Sequence, residues 1–149
     1  MEQLNEGLKM RGDLLFTFKN EETGEIRQEW ERNLVVTAGK NHIADQLLSS
    51  PAGATMSHME IGTGTTAAAA GDTALETALD RNAFDTKTAS DNAVTYVASW
   101  AAGDGTGAIT EAGIFNAASS GTMLARSVFS VKNKGAGDSM TITWILTIS

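Results

Sequence analysis

Residues 140–148 alternate between two kinds of side chain, and this alternation constrains the fold more than any other feature. Met140, Ile142, Trp144, Leu146 and Ile148 point one way, and three threonines and Ile145 lie between them. Successive side chains of a β-strand point to opposite faces, so a period of two predicts a strand with one buried face. The segment is therefore predicted to be a half-buried antiparallel strand.

The same alternation recurs along the chain. The further candidate strands are 14–19, 26–31, 56–61, 81–90, 93–101, 108–116 and 122–132. About eight short strands joined by Gly-rich turns are typical of two stacked antiparallel sheets. The predicted fold is mainly β, an antiparallel β-sandwich of the jelly-roll-like type.

The charged N-terminal part contains a predicted hairpin over residues 14–31. Its turn is Asn20 to Gly24, with glycine where a tight turn needs positive φ. The second strand carries charges typical of an exposed edge. Residues 1–33 hold eight acidic and five basic side chains, whereas the other 116 residues hold ten and six. This contrast predicts an N-terminal arm and hairpin, residues 1–32, as a docking element on a sandwich domain, residues 33–149.

One short helix is predicted near residues 38–48. Thr37 is a suitable N-cap, and Ile43, Ala44, Leu47 and Leu48 follow at helical spacing. Residues 72–79 are predicted to form one or two helical turns, with Leu75 and Leu79 on one side.

Composition excludes several classes of function. A net charge of −7 argues against nucleic-acid binding, which depends on clustered Lys and Arg. No stretch approaches the roughly 18 apolar residues that cross a membrane, and the N-terminus does not resemble a secretion signal. Without cysteine there is no disulfide framework, which fits folding in a reducing cytoplasm. Only 19% of residues are charged, and the abundant Ala, Thr, Gly and Ser suit either a protein interface or a solvated surface.

The chain contains no recognisable catalytic, cofactor or metal motif. His58 and Glu60 share a strand face, but they lack further ligands and are interpreted as a hydrogen-bonded surface pair. His42 is predicted to lie on the helix surface. The segment 62–66 lacks the lysine of a phosphate-binding loop, and 103–107 lacks the ordered acids of a calcium loop and is interpreted as a hairpin turn. No catalytic residue, cofactor or metal is therefore predicted, and the chain is not expected to be an enzyme.

Five segments resemble small structural proteins of tailed bacteriophages. They are Asn33–Ala44, Met59–Thr66 with Asp72–Leu75, Ile109–Asn116, Met123–Arg126 and Met140–Trp144. Their order and spacing resemble capsid decoration (cement) proteins and the distal domains of phage tail fibres and tailspikes, two groups that share a trimeric β-sandwich.

The resemblance implies a homotrimer that binds the major capsid protein on the outer surface of the virion and reinforces the shell, after assembly in the bacterial host cytoplasm. The alternative is a tail-fibre or tailspike module that recognises host surface glycans through aromatics such as Trp100 or Tyr96. A third interpretation, a cell-wall hydrolase, lacks a visible pair of acid and base residues.

Overall fold

Two five-stranded antiparallel sheets pack face to face in the computed structural model, which describes residues 7–149. The elements in chain order are β1 Met10–Asn20, β2 Ile26–Arg32, β3 Leu34–Val35, α1 Thr37–Gln46, β4 His58–Gly62, β5 Ala78–Ala83, β6 Thr86–Ser90, β7 Ala93–Trp100, β8 Gly107–Phe115, β9 Met123–Lys134 and β10 Asp138–Ile148. The first sheet has the order β2-β1-β10-β7-β6, and the second has β3-β9-β8-β4-β5. The predicted antiparallel sandwich with one short helix is confirmed.

The alternating residues of β10 form the middle of the core, as predicted. Trp144 is fully buried, and its indole Nε1 donates a 2.8 Å hydrogen bond to the side-chain oxygen of Asn33. On the neighbouring strand β1, Leu14, Phe16 and Phe18 are buried against the same interior. The period of two therefore identified the inner face of both strands correctly.

The predicted N-terminal hairpin exists, but it is part of the sandwich. Strand β1 pairs with β10 from Met10 to Asn20, and β2 pairs with the other edge of β1. Residues 10–32 therefore belong to the domain that was predicted to begin at residue 33, because β1 supplies core side chains. Residues 1–6 of the predicted docking element lie outside the described residues.

The helix has the predicted position, but of its predicted apolar face Ile43 alone packs against the core. Val36 is the N-cap residue and Thr37 is already helical, and no side-chain hydrogen bond caps the helix. Gly39 and His42 are buried, whereas Leu47 and Leu48 are exposed beyond the helix end. The prediction that His42 lies on the surface is wrong. The buried face is set by close approach to β9, since a Cβ on Gly39 would lie 2.0 Å from the Leu124 carbonyl oxygen.

Three local predictions are wrong, two of them because the chain passes from one sheet to the other. The predicted strand 81–90 is two strands, β5 at an edge of the second sheet and β6 at an edge of the first. Residues 103–107 join β7 of the first sheet to β8 of the second, so they form a crossover and no hairpin. Residues 72–77 form no helical turn, and β5 begins at Ala78.

Candidate interaction surface

The outer face of the second sheet is covered by the loop of residues 63–77, which a buried carboxylate holds in place. Glu111 on β8 is fully buried. One of its oxygens accepts hydrogen bonds from the backbone N–H groups of Gly64 at 2.6 Å and Thr77 at 2.8 Å, and the other accepts from that of Glu76 at 2.9 Å. Both ends of the loop are therefore tied to one side chain. The covered face is the outer side of the second sheet together with this loop.

Arg126 on β9 balances the buried charge of Glu111. Its guanidinium lies 3.1 Å from Glu111, 2.8 Å from Asp72 and 3.9 Å from Glu76, and it is almost completely buried. It also donates to the carbonyl oxygen of Thr66 at 3.0 Å. Hydrogen bonds from the Ala69 backbone and then Arg126 lower the pKa of Asp72, and hydrogen bonds from Thr66 lower the pKa of Glu76. The loop is thus held by charge-assisted hydrogen bonds, which are stronger than neutral ones.

The glycines of the 62–66 segment permit this attachment. A Cβ on Gly64 would lie 2.3 Å from a Glu111 oxygen, and one on Gly62 would lie 2.4 Å from the Thr77 carbonyl oxygen. The Gly64 N–H already donates to Glu111, so the segment anchors the loop. The sequence interpretation did not identify Glu111 or Arg126. The available signal was a glutamate among the mostly apolar residues 109–115 and an arginine directly after three apolar residues, 123–125.

The outer face of the first sheet has no covering segment among residues 7–149. Strand alternation and register place 21 residues on it: Arg11, Asp13, Leu15, Thr17 and Lys19 of β1; Ile26, Gln28, Trp30 and Arg32 of β2; Thr86, Thr88 and Ser90 of β6; Ala93, Thr95, Val97 and Ser99 of β7; and Ser139, Thr141, Thr143, Ile145 and Thr147 of β10. We call these residues the open face. Most are short, uncharged side chains, which lose little conformational entropy when another protein covers them.

The open face differs in charge from the rest of the molecule. Its charged residues are Arg11, Asp13, Lys19 and Arg32, which give it a net charge of +2 and leave −9 for the rest of a chain whose total is −7. Asp13 lies 3.0 Å from both Arg11 and Arg32, so part of this charge is already paired. All four residues belong to β1 and β2.

Trp30 is the large aromatic residue that the open face presents to its surroundings. Its side chain is 58% exposed and lies in the same row of the sheet as Leu15, Thr143 and Val97. Beside it is a depression of 580 Å³, with Ile145 also in its wall. An exposed aromatic next to a hollow is typical of an interface anchor, because most binding energy comes from a few buried aromatic or arginine side chains.

The aromatics predicted to recognise glycans are not available for that role. Trp100 is completely buried and Tyr96 is 8% exposed, both within the core of the sandwich. Burial raises the pKa of the Tyr96 hydroxyl. The prediction failed because the alternating row that contains both residues faces inward. The alternation that marks the inner faces of β10 and β1 also predicts an inward row here, because Ala93, Thr95 and Ser99 alternate with it.

His58 and Glu60 make separate hydrogen bonds. The His58 Nδ1 lies 2.7 Å from the hydroxyl of Ser57, and Glu60 accepts a 2.8 Å hydrogen bond from the guanidinium of Arg81. Glu60 is buried, so the interpretation of a surface pair is wrong for this residue. Within residues 7–149, no group of three or more His, Cys, Asp or Glu side chains could hold a metal ion. The same residues include no helix long and apolar enough to span a membrane.

Comparisons with protein-family models, with curated proteins and with solved structures found no match to this chain.

Proposed function

We propose that this chain is a structural virion protein of a tailed bacteriophage, a decoration protein that binds the outer capsid surface as a trimer and reinforces the shell. The observation that carries the proposal is the open face, a mostly uncharged sheet surface that includes the exposed Trp30. A sheet face of this kind is suited to contact with protein. The resemblance of five sequence segments to phage decoration proteins supplies the identity of the assembly.

The two faces of the sandwich support a role in assembly over one in chemistry. The buried charges of the described residues hold structure: Glu111 and Arg126 fix a loop, and Glu60 bonds Arg81. A trimer that contacts several capsid subunits at once needs only modest affinity at each contact, because later contacts form at high effective concentration. The acidic remainder of the chain would avoid packaged DNA, whose phosphates are also negative.

Electron microscopy of the phage particle that contains this chain tests the proposal. Density for the chain at repeated positions over the outer shell is the expected result. Density for the chain at the tail alone, or absence of the chain from purified particles, would refute a decoration role. Undecorated capsids mixed with purified chain should also gain it in a sedimentation assay, at a saturating ratio set by the capsid lattice.

Of the predicted docking element, residues 1–32, we propose the segment of residues 1–8 as the capsid contact, because β1 and β2 belong to the sandwich. Because β1 begins at Met10, deletion of residues 1–8 leaves the first sheet complete, whereas a longer deletion removes paired residues. The shortened chain should keep its thermal stability and lose at least tenfold in capsid affinity. Undiminished binding would exclude this segment as the docking element and leave the decoration role to be judged by the particle images.

Trp30 favours a second candidate function, a tail-fibre or tailspike module that binds host glycans. An exposed indole beside a 580 Å³ depression is a suitable platform for a sugar ring. This function predicts tail density in the particle and binding to host surface polysaccharide that is lost in Trp30→Ala. A decoration protein predicts shell density and no change in polysaccharide retention.

A further inference from the structure

We infer that the open face is the surface through which copies of this chain associate. The β1 and β2 part of the open face, the basic half, packs against the β6 and β7 part, the neutral half, of the next copy. The inference deepens the proposed function by naming the surface of self-association. It rests on the proposed function for the number of copies, which is three.

The contrast between the two sheets is the first argument. The second sheet is covered by the loop of residues 63–77, held by a fully buried glutamate. The first sheet carries Leu15, Val97 and Ile145 on its outer face, and no segment of residues 7–149 covers them. A sheet with apolar residues on both faces usually packs against another layer on each side. A second copy can supply the missing layer for the first sheet.

The open face is large enough to take part in two contacts at once. Its five strands, about 4.8 Å apart and with a mean length of about eight residues at 3.3 Å each, give a surface of about 630 Å². Divided between two neighbours, it supplies about 320 Å² from each copy to each contact, whereas a stable interface buries about 800 Å² on each partner. The open face therefore supplies the central part of each contact.

Charge favours another copy as the occupant. Outside the open face the chain carries −9, so contacts between other surfaces of two copies would bring like charges together. The charged residues of the open face lie in its basic half, whereas at the margin of the neutral half the Asp85 carboxylate accepts a hydrogen bond from Ser99. Packing one basic half on another would bring Arg11, Lys19 and Arg32 of one copy close to the same three residues of the other copy. Packing the basic half on the neutral half avoids this repulsion.

This arrangement closes naturally into a ring. Each copy offers two different halves of one face, so each contacts two neighbours through unlike surfaces, as in a cyclic oligomer. With the strands of three copies around a common axis, β10 lies nearest the axis and Trp30 lies against the neutral half of the next copy. Trp30, now 58% exposed, would become buried and serve as the anchor of the contact.

A charge at the centre of the open face tests the inference. Thr143 lies in the middle row between Leu15 and Val97, and Thr65 is exposed on the loop of the covered face. Light scattering at micromolar concentration should give three times 15.6 kDa for the wild-type chain and for Thr65→Arg, but 15.6 kDa for Thr143→Arg. Circular dichroism and thermal unfolding verify that both variants are folded. Trp30→Ser, at an exposed site, provides a second variant with the same expected loss of association.

The outcomes separate this inference from the proposed function. If the wild-type chain forms trimers and folded Thr143→Arg and Trp30→Ser also form them, another surface makes the contact and the inference is overturned, while the decoration role stands. A wild-type chain that stays monomeric overturns both the inference and the proposal that the chain forms a trimer. Sedimentation with undecorated capsids, performed separately, then decides whether the chain binds the shell at all.

Cross-linking tests the half-to-half arrangement. The chain has no cysteine, so introduced cysteines react alone. Arg32 and Thr88 lie in one row on opposite edge strands, about 19 Å apart across four strand spacings of about 4.8 Å. In Arg32→Cys/Thr88→Cys, disulfide-linked dimers and trimers are expected under oxidation. Neither single-cysteine variant, mixed with the wild-type chain, should give disulfide-linked trimers. Covalent dimers only in Arg32→Cys alone would show that basic halves face each other and would refute the arrangement.

Discussion

Glu111→Gln should destabilise the protein far more than its small change in shape suggests. The carboxylate is fully buried and accepts hydrogen bonds from three backbone N–H groups, of Gly64, Glu76 and Thr77, as well as from Arg126. A glutamine amide has one accepting oxygen. In either orientation its NH₂ group faces N–H groups whose hydrogen bonds a carboxylate oxygen accepts in the wild-type chain.

The size of the effect follows from these contacts. With the NH₂ group in place of the oxygen that binds Gly64 and Thr77, two backbone donors lose their acceptor, at about 1–3 kcal/mol each. Arg126 also loses one buried counter-charge, although Asp72 at 2.8 Å remains. We expect the free energy of unfolding to fall by about 3–5 kcal/mol, within the range for breaking a buried ion pair.

Urea unfolding measures this loss, and Glu60→Gln is the matched control. Glu60 is a buried glutamate on the same sheet, but its described hydrogen bond is with Arg81, so its loss should be about 1–2 kcal/mol. Both variants are compared at one protein concentration, because association adds to apparent stability. Hydrogen exchange at Gly64 and Thr77 should accelerate in Glu111→Gln alone. A loss below about 1 kcal/mol, with unchanged exchange, would refute the role of Glu111 in holding the loop.

Three further predictions concern the core and the loop. Trp144→Ala should lower the free energy of unfolding by about 3–5 kcal/mol in urea titrations, because a fully buried ring is removed; a loss below about 1 kcal/mol would contradict its central position. Gly64→Ala should lower Tm by at least about 4 °C, because the new Cβ would lie 2.3 Å from Glu111, whereas Gly71→Ala, in open space, should leave it unchanged. Asp72 and Glu76 have lowered pKa values in the folded chain, so their stabilisation is complete above their unfolded values near 4 and is lost as pH falls through the folded values. The hydrogen-exchange protection of the 63–77 loop, relative to intrinsic exchange at the same pH, should therefore fall below about pH 4 before global unfolding, and protection that persists to global unfolding would contradict this.

Local predictions succeeded where backbone geometry alone sets the pattern. The alternation around Trp144 and along β1 identified strands and their inner faces, because side chains of a strand alternate whatever the strand pairs with. The turn at Gly24 was also correct, with φ of 75°. The helix was located within two residues, but its buried face was right only for Ile43, because the fit of Gly39 against Leu124 depends on a distant strand.

Half-buried strands and their inner faces can be predicted from neighbouring residues alone, since the period of two is a local property of the chain. Which strands share a sheet, and that β1 belongs to the sandwich, follow only from contacts between residues far apart in the chain. The same long-range contacts fix which sheet face is covered. Glu111 meets the Gly64 N–H across 47 positions of the chain, and a contact at that separation exists only after the sheets have assembled.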